Sequence, residues 1–227
     1  MGLQLDRVIP WGRSFEEYVR MFHLTSTDLQ FSILDCAGGP ASFNAGMYRQ
    51  RHRVISCDPI YQFTAAAIAQ RIRDTYSTVI EGVRANSDCY MWREIATPQQ
   101  LGEVRMAAMN EFLADLPQGL AKGRYRVGEL PDLPFADRTF DLALCSHFLF
   151  AYSHLFCAEF HWQSIRELCR VASQVRIFPL LDIGGAISSH LELILRELER
   201  EGYQATIEPV PYEFQKSGNR MLKIVLQ

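Results

Sequence analysis

Long apolar runs are absent from this chain: no stretch approaches the roughly 18 residues needed to cross a bilayer, so no membrane partner is expected. Paired cysteines are absent too. The six cysteines, at positions 36, 57, 89, 145, 157 and 169, form no CxxC pair and no tight cluster. That spacing argues against a disulfide scaffold and against a zinc site, and no metal is expected. Basic runs are missing. Lys plus Arg total 23 against 26 Asp plus Glu, a net charge of −3. This balance lacks the electrostatic footprint of a phosphate-backbone binder, so no nucleic acid is expected as partner. The opening residues, Met1 to Arg7, lack the basic segment and apolar core of a signal peptide, and Asp6 stands where a myristoylation signal carries Ser or Thr. Together these absences lead to the expectation of a cytoplasmic protein with reduced thiols. Internal repeats and low-complexity tracts are also absent.

What is present is an ordinary globular composition. With 227 residues, 48% hydrophobic and 22% charged, the chain can bury roughly 70% of its unfolded surface in one domain without a metal or disulfide staple. Strand and helix signals alternate. Short apolar strands are predicted at 31–37, 53–58, 125–128, 140–145, 175–181, 205–210 and 221–226. Ser14-Phe15-Glu16-Glu17 reads as a capping box for a short helix through Phe22. A helix is predicted over 41–50. Ile68, Ile72, Tyr76, Ile80 and Val83 recur at helical spacing, and Thr97-Pro98-Gln99-Gln100 opens a helix whose face is Leu101, Val104, Ala108, Phe112 and Leu116. Residues 148–172 read as mostly helical, and Ser189-x-x-Glu192 as the cap of a last helix to Gly202.

This alternation predicts an α/β, Rossmann-like doubly wound fold: a mainly parallel seven-stranded sheet with an antiparallel C-terminal hairpin strand. The interval 60–122 exceeds one crossover and is expected to be a helical insertion after the second strand. With residues 1–30 as an N-terminal helical lid, it would pack over the rim where ligands of such sheets bind.

Three features at that rim carry chemistry. Asp35-Cys36-Ala37-Gly38-Gly39-Pro40-Ala41 sits where a strand turns into a helix, and small residues there let backbone approach a ligand closely. Asp58 ends the next strand, where a carboxylate can accept both hydroxyls of a ribose. Gly128-Glu129-Leu130 leads into Leu133-Pro134-Phe135-Ala136-Asp137-Arg138-Thr139-Phe140-Asp141-Leu142. Singly, a glycine pair is often a mere tight turn and an Asp a helix cap. Their order and spacing together are harder to obtain by chance.

On these motifs the chain resembles the class I S-adenosylmethionine-dependent methyltransferases, particularly the small-molecule branch that includes ubiquinone and menaquinone biosynthesis enzymes. The family's Asp-x-Gly-x-Gly-x-Gly turn aligns with Asp35–Ala41, with Ala37 and Ala41 in place of the first and third glycines. An alanine there is tolerated if φ stays negative. The resemblance implies S-adenosylmethionine as cofactor, held by Asp35, Ala37, Gly38, Gly39, Pro40, Asp58, Pro59, Glu129, Leu130 and Ser146, with Glu129 toward the adenine amine. It implies transfer of a methyl group to a small-molecule acceptor. Cys145-Ser146-His147-Phe148 stands where enzymes that methylate base amines carry Asn-Pro-Pro-Tyr, which argues against a nucleic-acid amine.

His147 is then the candidate base or substrate contact, or alternatively a backbone-bonded histidine of the cofactor floor. Arg13 and Tyr18 are candidates to close over the methionine end of the cofactor, or else are surface and staple residues. Tyr152 and the aromatics from Phe148 to Trp162 wall an apolar pocket or simply pack the core. His154 and His161 lie too far apart on one helix for a shared metal. Two rival readings stand beside the methyltransferase. A nicotinamide-dependent oxidoreductase would show G-x-G-x-x-G, which "AGGPAS" does not supply. A non-catalytic S-adenosylmethionine-binding or interaction protein would keep the fold and lose the transfer.

Overall fold

The computed structural model describes residues 5–226; the expectations resting on residues 1–4 lie outside them. The first helix, α1 (Phe15–Met21), begins at the capping box expected from the sequence. Ser14 Oγ accepts from the Glu17 amide, and the Glu17 carboxylate accepts in return from the Ser14 amide. Two orphan N–H groups are thereby satisfied.

The sheet comprises β1 (Ile33–Cys36), β2 (Val54–Cys57), β3 (Tyr125–Arg126), β4 (Phe140–Ser146), β5 (Ala172–Phe178), β6 (Tyr203–Pro209) and β7 (Arg220–Leu226). Their order is β3-β2-β1-β4-β5-β7-β6. All neighbours are parallel except β7, which runs antiparallel to both β5 and β6. The doubly wound sheet and its reversed terminal strand are therefore as the alternation predicts. The central strand β1 is buried at every position, as a strand covered on both faces must be.

Alternation along β1 sorts the two faces. Leu34 and Cys36 join the core formed with Ile165 and Leu168 of α5 (Ala158–Val171) and Ile194 and Leu198 of α6 (Leu191–Arg200). Ile33 packs on the other face with Tyr18 and Met21 of α1 and Phe43 and Met47 of α2 (Phe43–Arg49). Asp35, next but one to Ile33, points the same way and lies beneath α1, where Tyr18 meets it.

Between β2 and β3 stand two long helices, α3 (Ala65–Ala85) and α4 (Pro98–Ala121), which pack on each other. Thr97 caps α4 through the Gln100 amide and Pro98 occupies its first turn, as its sequence signature predicts. Gly102 permits the close crossing, since a Cβ there would lie 2.0 Å from the Tyr76 hydroxyl.

Several boundaries differ from expectation. The 41–50 helix is shorter, Phe43–Arg49, because Ala41 and Ser42 are pinned in the turn: the Ser42 amide donates to the Arg13 carbonyl. Strand 125–128 pairs only at Tyr125 and Arg126. The segment 148–172 is not one helix. A 3-10 turn at Phe150–Tyr152 precedes α5, which starts at Ala158, and Ala172 is already strand. His154 consequently lies outside the helix that carries His161. Ser189 does not cap α6; its helix starts after His190 with no side-chain cap, and Ser188 Oγ accepts from the His190 amide instead. Among the described residues no helix is long and apolar enough to cross a membrane.

Candidate functional site

The carboxyl ends of β1, β2, β4 and β5 open into one cavity of about 660 Å³, within the range of small-molecule sites. Its floor is the β1–α2 turn. The turn is shaped by Asp35, which is 1% exposed and does not itself line the cavity. Its carboxylate accepts from the Tyr18 hydroxyl at 3.0 Å and from Ser56 Oγ at 2.8 Å. It sits so close under Gly38 that a Cβ there would fall 2.2 Å from Oδ2. Burial pushes the Asp35 carboxyl up to about 7, with the Asp58 charge adding to it against those two hydrogen bonds. Asp35 thus supports the turn from below, outside the lining of the cavity.

Gly39 has φ +53, and a Cβ on it would meet nothing within 4 Å. Ala37 is also left-handed, at φ 54. The condition under which alanine replaces this glycine freely, a negative φ, is therefore not met. An L-residue there bears roughly 1–2 kcal/mol of strain, and the Ala37 amide is held by a 2.8 Å bond to the Cys57 carbonyl.

Asp58 faces the turn from the end of β2. Oδ2 accepts from the Gly39 amide at 2.9 Å and Oδ1 from the Ile60 amide at 2.8 Å. A carboxylate offers about four acceptor directions, so each oxygen keeps capacity for a further donor. Burial lifts this carboxyl to about 6. Pro59, Glu129 and Leu130 line the same end of the cavity, and so do Ala37, Gly38, Gly39 and Pro40. Glu129 is exposed at the mouth.

At the other end of the rim Ser146 and His147 leave β4, both lining the cavity. Ser146 Oγ lies 2.9 Å from His147 Nδ1. His147 has φ 51, and its amide donates to the Phe178 carbonyl at 2.6 Å. Its imidazole is held well below the ordinary histidine range, first by burial and then by Arg13 and Arg105. A histidine so placed is neutral. The His147 main chain is anchored to the end of β5, while its ring borders the cavity beside Ser146 Oγ and not a backbone group.

The N-terminal segment closes over this end. A Cβ on Gly12 would lie 2.1 Å from the Pro40 carbonyl oxygen, so only glycine lets the segment rest on the turn. Arg13, which precedes α1 rather than belonging to it, lines the cavity and donates through Nη1 to the Trp11 carbonyl at 2.7 Å. Tyr18 lines it as well. Phe148, Tyr152, Phe156 and Phe160 form an aromatic wall, so the run from Phe148 serves as pocket wall and core packing at once.

Three contributors are not among the sequence candidates. Arg105 of α4, fully buried, pairs with Glu17 at 2.5 Å, and the Tyr212 hydroxyl donates to the same carboxylate at 3.0 Å. The signal for Arg105 is a charge in a buried stripe: Leu101, Arg105, Ala108, Phe112 and Leu116 share one face. Glu17 is legible only as a cap, and Tyr212 carries no local signal. Among the described residues no group of three or more His, Cys, Asp or Glu is arranged to hold a metal.

No family model matches the chain. It is 33% identical over 225 residues to the uncharacterized protein MJ0045 of Methanocaldococcus jannaschii, covering 98% of each chain. Among solved structures it is similar to the mitomycin 7-O-methyltransferase MmcR, with TM-score 0.50 and 11% identity over 94% of this chain and 54% of that one. It is also similar to the magnesium protoporphyrin IX methyltransferase of Synechocystis PCC 6803 with bound SAM. There the TM-score is 0.43, with 13% identity over 87% of this chain and 70% of that one. At these identities the likeness to MmcR is one of fold.

Proposed function

The chain belongs to the same family as MJ0045 of Methanocaldococcus jannaschii and has the fold of the class I S-adenosylmethionine-dependent methyltransferases, and we propose that it transfers a methyl group from S-adenosylmethionine to a small-molecule acceptor. The observation that carries this reading is the pairing of Asp58 with Gly39 across one cavity mouth. A carboxylate with free acceptor capacity stands 2.9 Å from the amide of a left-handed glycine that has nothing above it. This is a cradle for a ribose and the chain leading from it. The reversed β7 also supports this reading over a nicotinamide oxidoreductase.

When bound, the cofactor supplies an electrophilic methyl group on a sulfonium. The residues of the chain then orient and desolvate. Asp58 would take the ribose hydroxyls, Glu129 and Leu130 would flank the adenine, and Pro59 would bound it. Ala37, Gly38, Gly39, Pro40 and Ser146 would line the methionine portion. Arg13, pinned beside Pro40 by Gly12, would pair with the amino-acid carboxylate, and Tyr18 would hold the turn through Asp35. The N-terminal segment and α3–α4 would act as the lid that removes water. Such a transfer depends on alignment and exclusion of water more than on a protein nucleophile. His147, neutral beside Ser146, would contact the acceptor and receive a proton only from an acidic one.

The test is calorimetric titration with S-adenosylmethionine and S-adenosylhomocysteine, with NAD as control, on the wild type and Asp58→Asn. We expect binding of both adenosyl ligands, none of NAD, and a loss of about tenfold or more in the variant, since a charged acceptor contributes about 1.5–3 kcal/mol. Equal affinity in Asp58→Asn would overturn the ribose assignment. Absence of adenosyl binding would overturn the function.

A further inference from the structure

The guanidinium of Arg105 is used on one side only. Nη1 is committed to Glu17. Nη2 reaches only the Tyr212 hydroxyl, at a long 3.4 Å, and Nε has no partner although it is buried. The residue is 0% exposed and borders the cavity. The Nε–Nη2 edge of an arginine is a fork whose two parallel donors match the two oxygens of a carboxylate. A buried donor left without an acceptor is costly and rare, so the open edge points to an acceptor that arrives from the cavity.

The charge count agrees. At this end two guanidiniums, Arg13 and Arg105, face one carboxylate, Glu17, and both arginines act on His147 and on each other. Asp58 and Glu129 lie at the other end of the cavity, the lining Arg71 stacks on Phe63, Asp35 is held beneath the turn by Tyr18 and Ser56, and Asp182 is engaged in its own loop with the Ala186 amide. S-adenosylmethionine does not remove the excess. Its carboxylate is matched by its ammonium, and the sulfonium adds one positive charge. A cationic acceptor would meet an already positive, water-poor pocket.

Position separates the two arginines. Gly12 fixes Arg13 against the β1–α2 turn, where the cofactor's carboxylate would lie. Arg105 belongs to the insertion. One turn before it, Leu101 packs with Val79, Val83 and Tyr90, and Trp11 and Phe214 lean on the same cluster. Resting on the methyltransferase reading of the cavity, we propose that the Nε–Nη2 edge of Arg105 receives a carboxylate of the methyl acceptor, whose body is apolar or aromatic and sits on this cluster.

A carboxylate could also come from the cofactor itself, and the test separates the two sources. Calorimetry on the protein, alone and saturated with S-adenosylhomocysteine, would compare 3-(4-hydroxyphenyl)propionate with its neutral methyl ester and with tyramine, which replaces the acid by an ammonium. The acid should bind about tenfold or more tightly than either. Arg105→Lys keeps the ion pair with Glu17 but not the fork. It should lose that preference while S-adenosylhomocysteine affinity changes less than about twofold, and Arg13→Gln should do the reverse. Equal binding of the three probes to the wild type overturns the proposal without needing any variant. So does an Arg105→Lys protein that spares the acid and loses S-adenosylhomocysteine. Acid-selective binding in a protein that fails to bind S-adenosylhomocysteine would support the carboxylate site and overturn the methyltransferase reading.

Discussion

The hydroxyl of Tyr18 donates to the carboxylate of Asp35 at 3.0 Å, both groups buried. This bond ties the first helix to the underside of the turn that floors the cavity. Tyr18 also stacks on Phe43, the first residue of α2, with ring centroids 4.5 Å apart. The N-terminal segment, the turn and the helix after it are thus one packed unit, and Asp35 is its polar centre.

That position makes Asp35 a titrating element of stability. Its folded carboxyl is raised to about 7 against an ordinary 3.8, chiefly by burial. Over that window the folded state holds a proton that the unfolded state has released, so its contribution to stability falls as pH rises. Asp35→Asn cannot titrate. In urea unfolding its stability relative to the wild type should improve from about pH 4 to about pH 8; a difference independent of pH would show the carboxyl to be ordinary.

Ala37 should be a site of relief. Glycine at φ 54 removes roughly 1–2 kcal/mol of left-handed strain and costs about 0.4–1 kcal/mol in unfolded-chain entropy. Ala37→Gly should therefore leave stability equal or raise it by about 1 kcal/mol, a small rise in melting temperature. A loss of more than that amount would mean the methyl group packs productively.

His147 should not titrate near neutrality. With its imidazole held well below 6.5 by burial and by Arg13 and Arg105, its ring resonances in NMR should stay constant from about pH 5.5 to about pH 8, where a free histidine would move. His147→Ala should retain S-adenosylhomocysteine binding and slow transfer once an acceptor is in hand.

Glu17 should matter more than its role as a cap suggests. Burial alone would raise its carboxyl, but Arg105 and then Arg13 hold it down to about 2. Its contribution is complete above the ordinary 4.5 and is lost as pH falls toward 2. Glu17→Gln leaves Arg105 buried without its counterion and should cost roughly 3–5 kcal/mol at neutral pH by urea unfolding.

Much of the architecture follows from local rules. Ser14 with Glu17 and Thr97 with Pro98 mark helix starts because capping is decided within four residues. The buried strands read as short apolar runs because both sheet faces are covered. The order of a glycine-rich turn, then Asp58, then Glu129 identifies the rim because successive parallel strands present their ends on one side. The resemblance carried by those motifs singles out Ala37, Gly38, Gly39, Pro40, Asp58, Pro59, Leu130, Ser146 and His147, and all border the cavity. Tertiary structure decided the rest. The left-handed Ala37 is held by its amide bond to the Cys57 carbonyl of the next strand, a partner its neighbours in sequence do not disclose. Ser189 looks like a cap, but α6 starts after His190 with no side-chain cap, since the loop before it is positioned by the Ser188 amide bonding the Leu180 carbonyl. The group of Arg105, Glu17 and Tyr212 joins residues 88 and 107 positions apart. A buried charge is stable only with its partner in place, and that partner is supplied by the fold, not by the sequence around it.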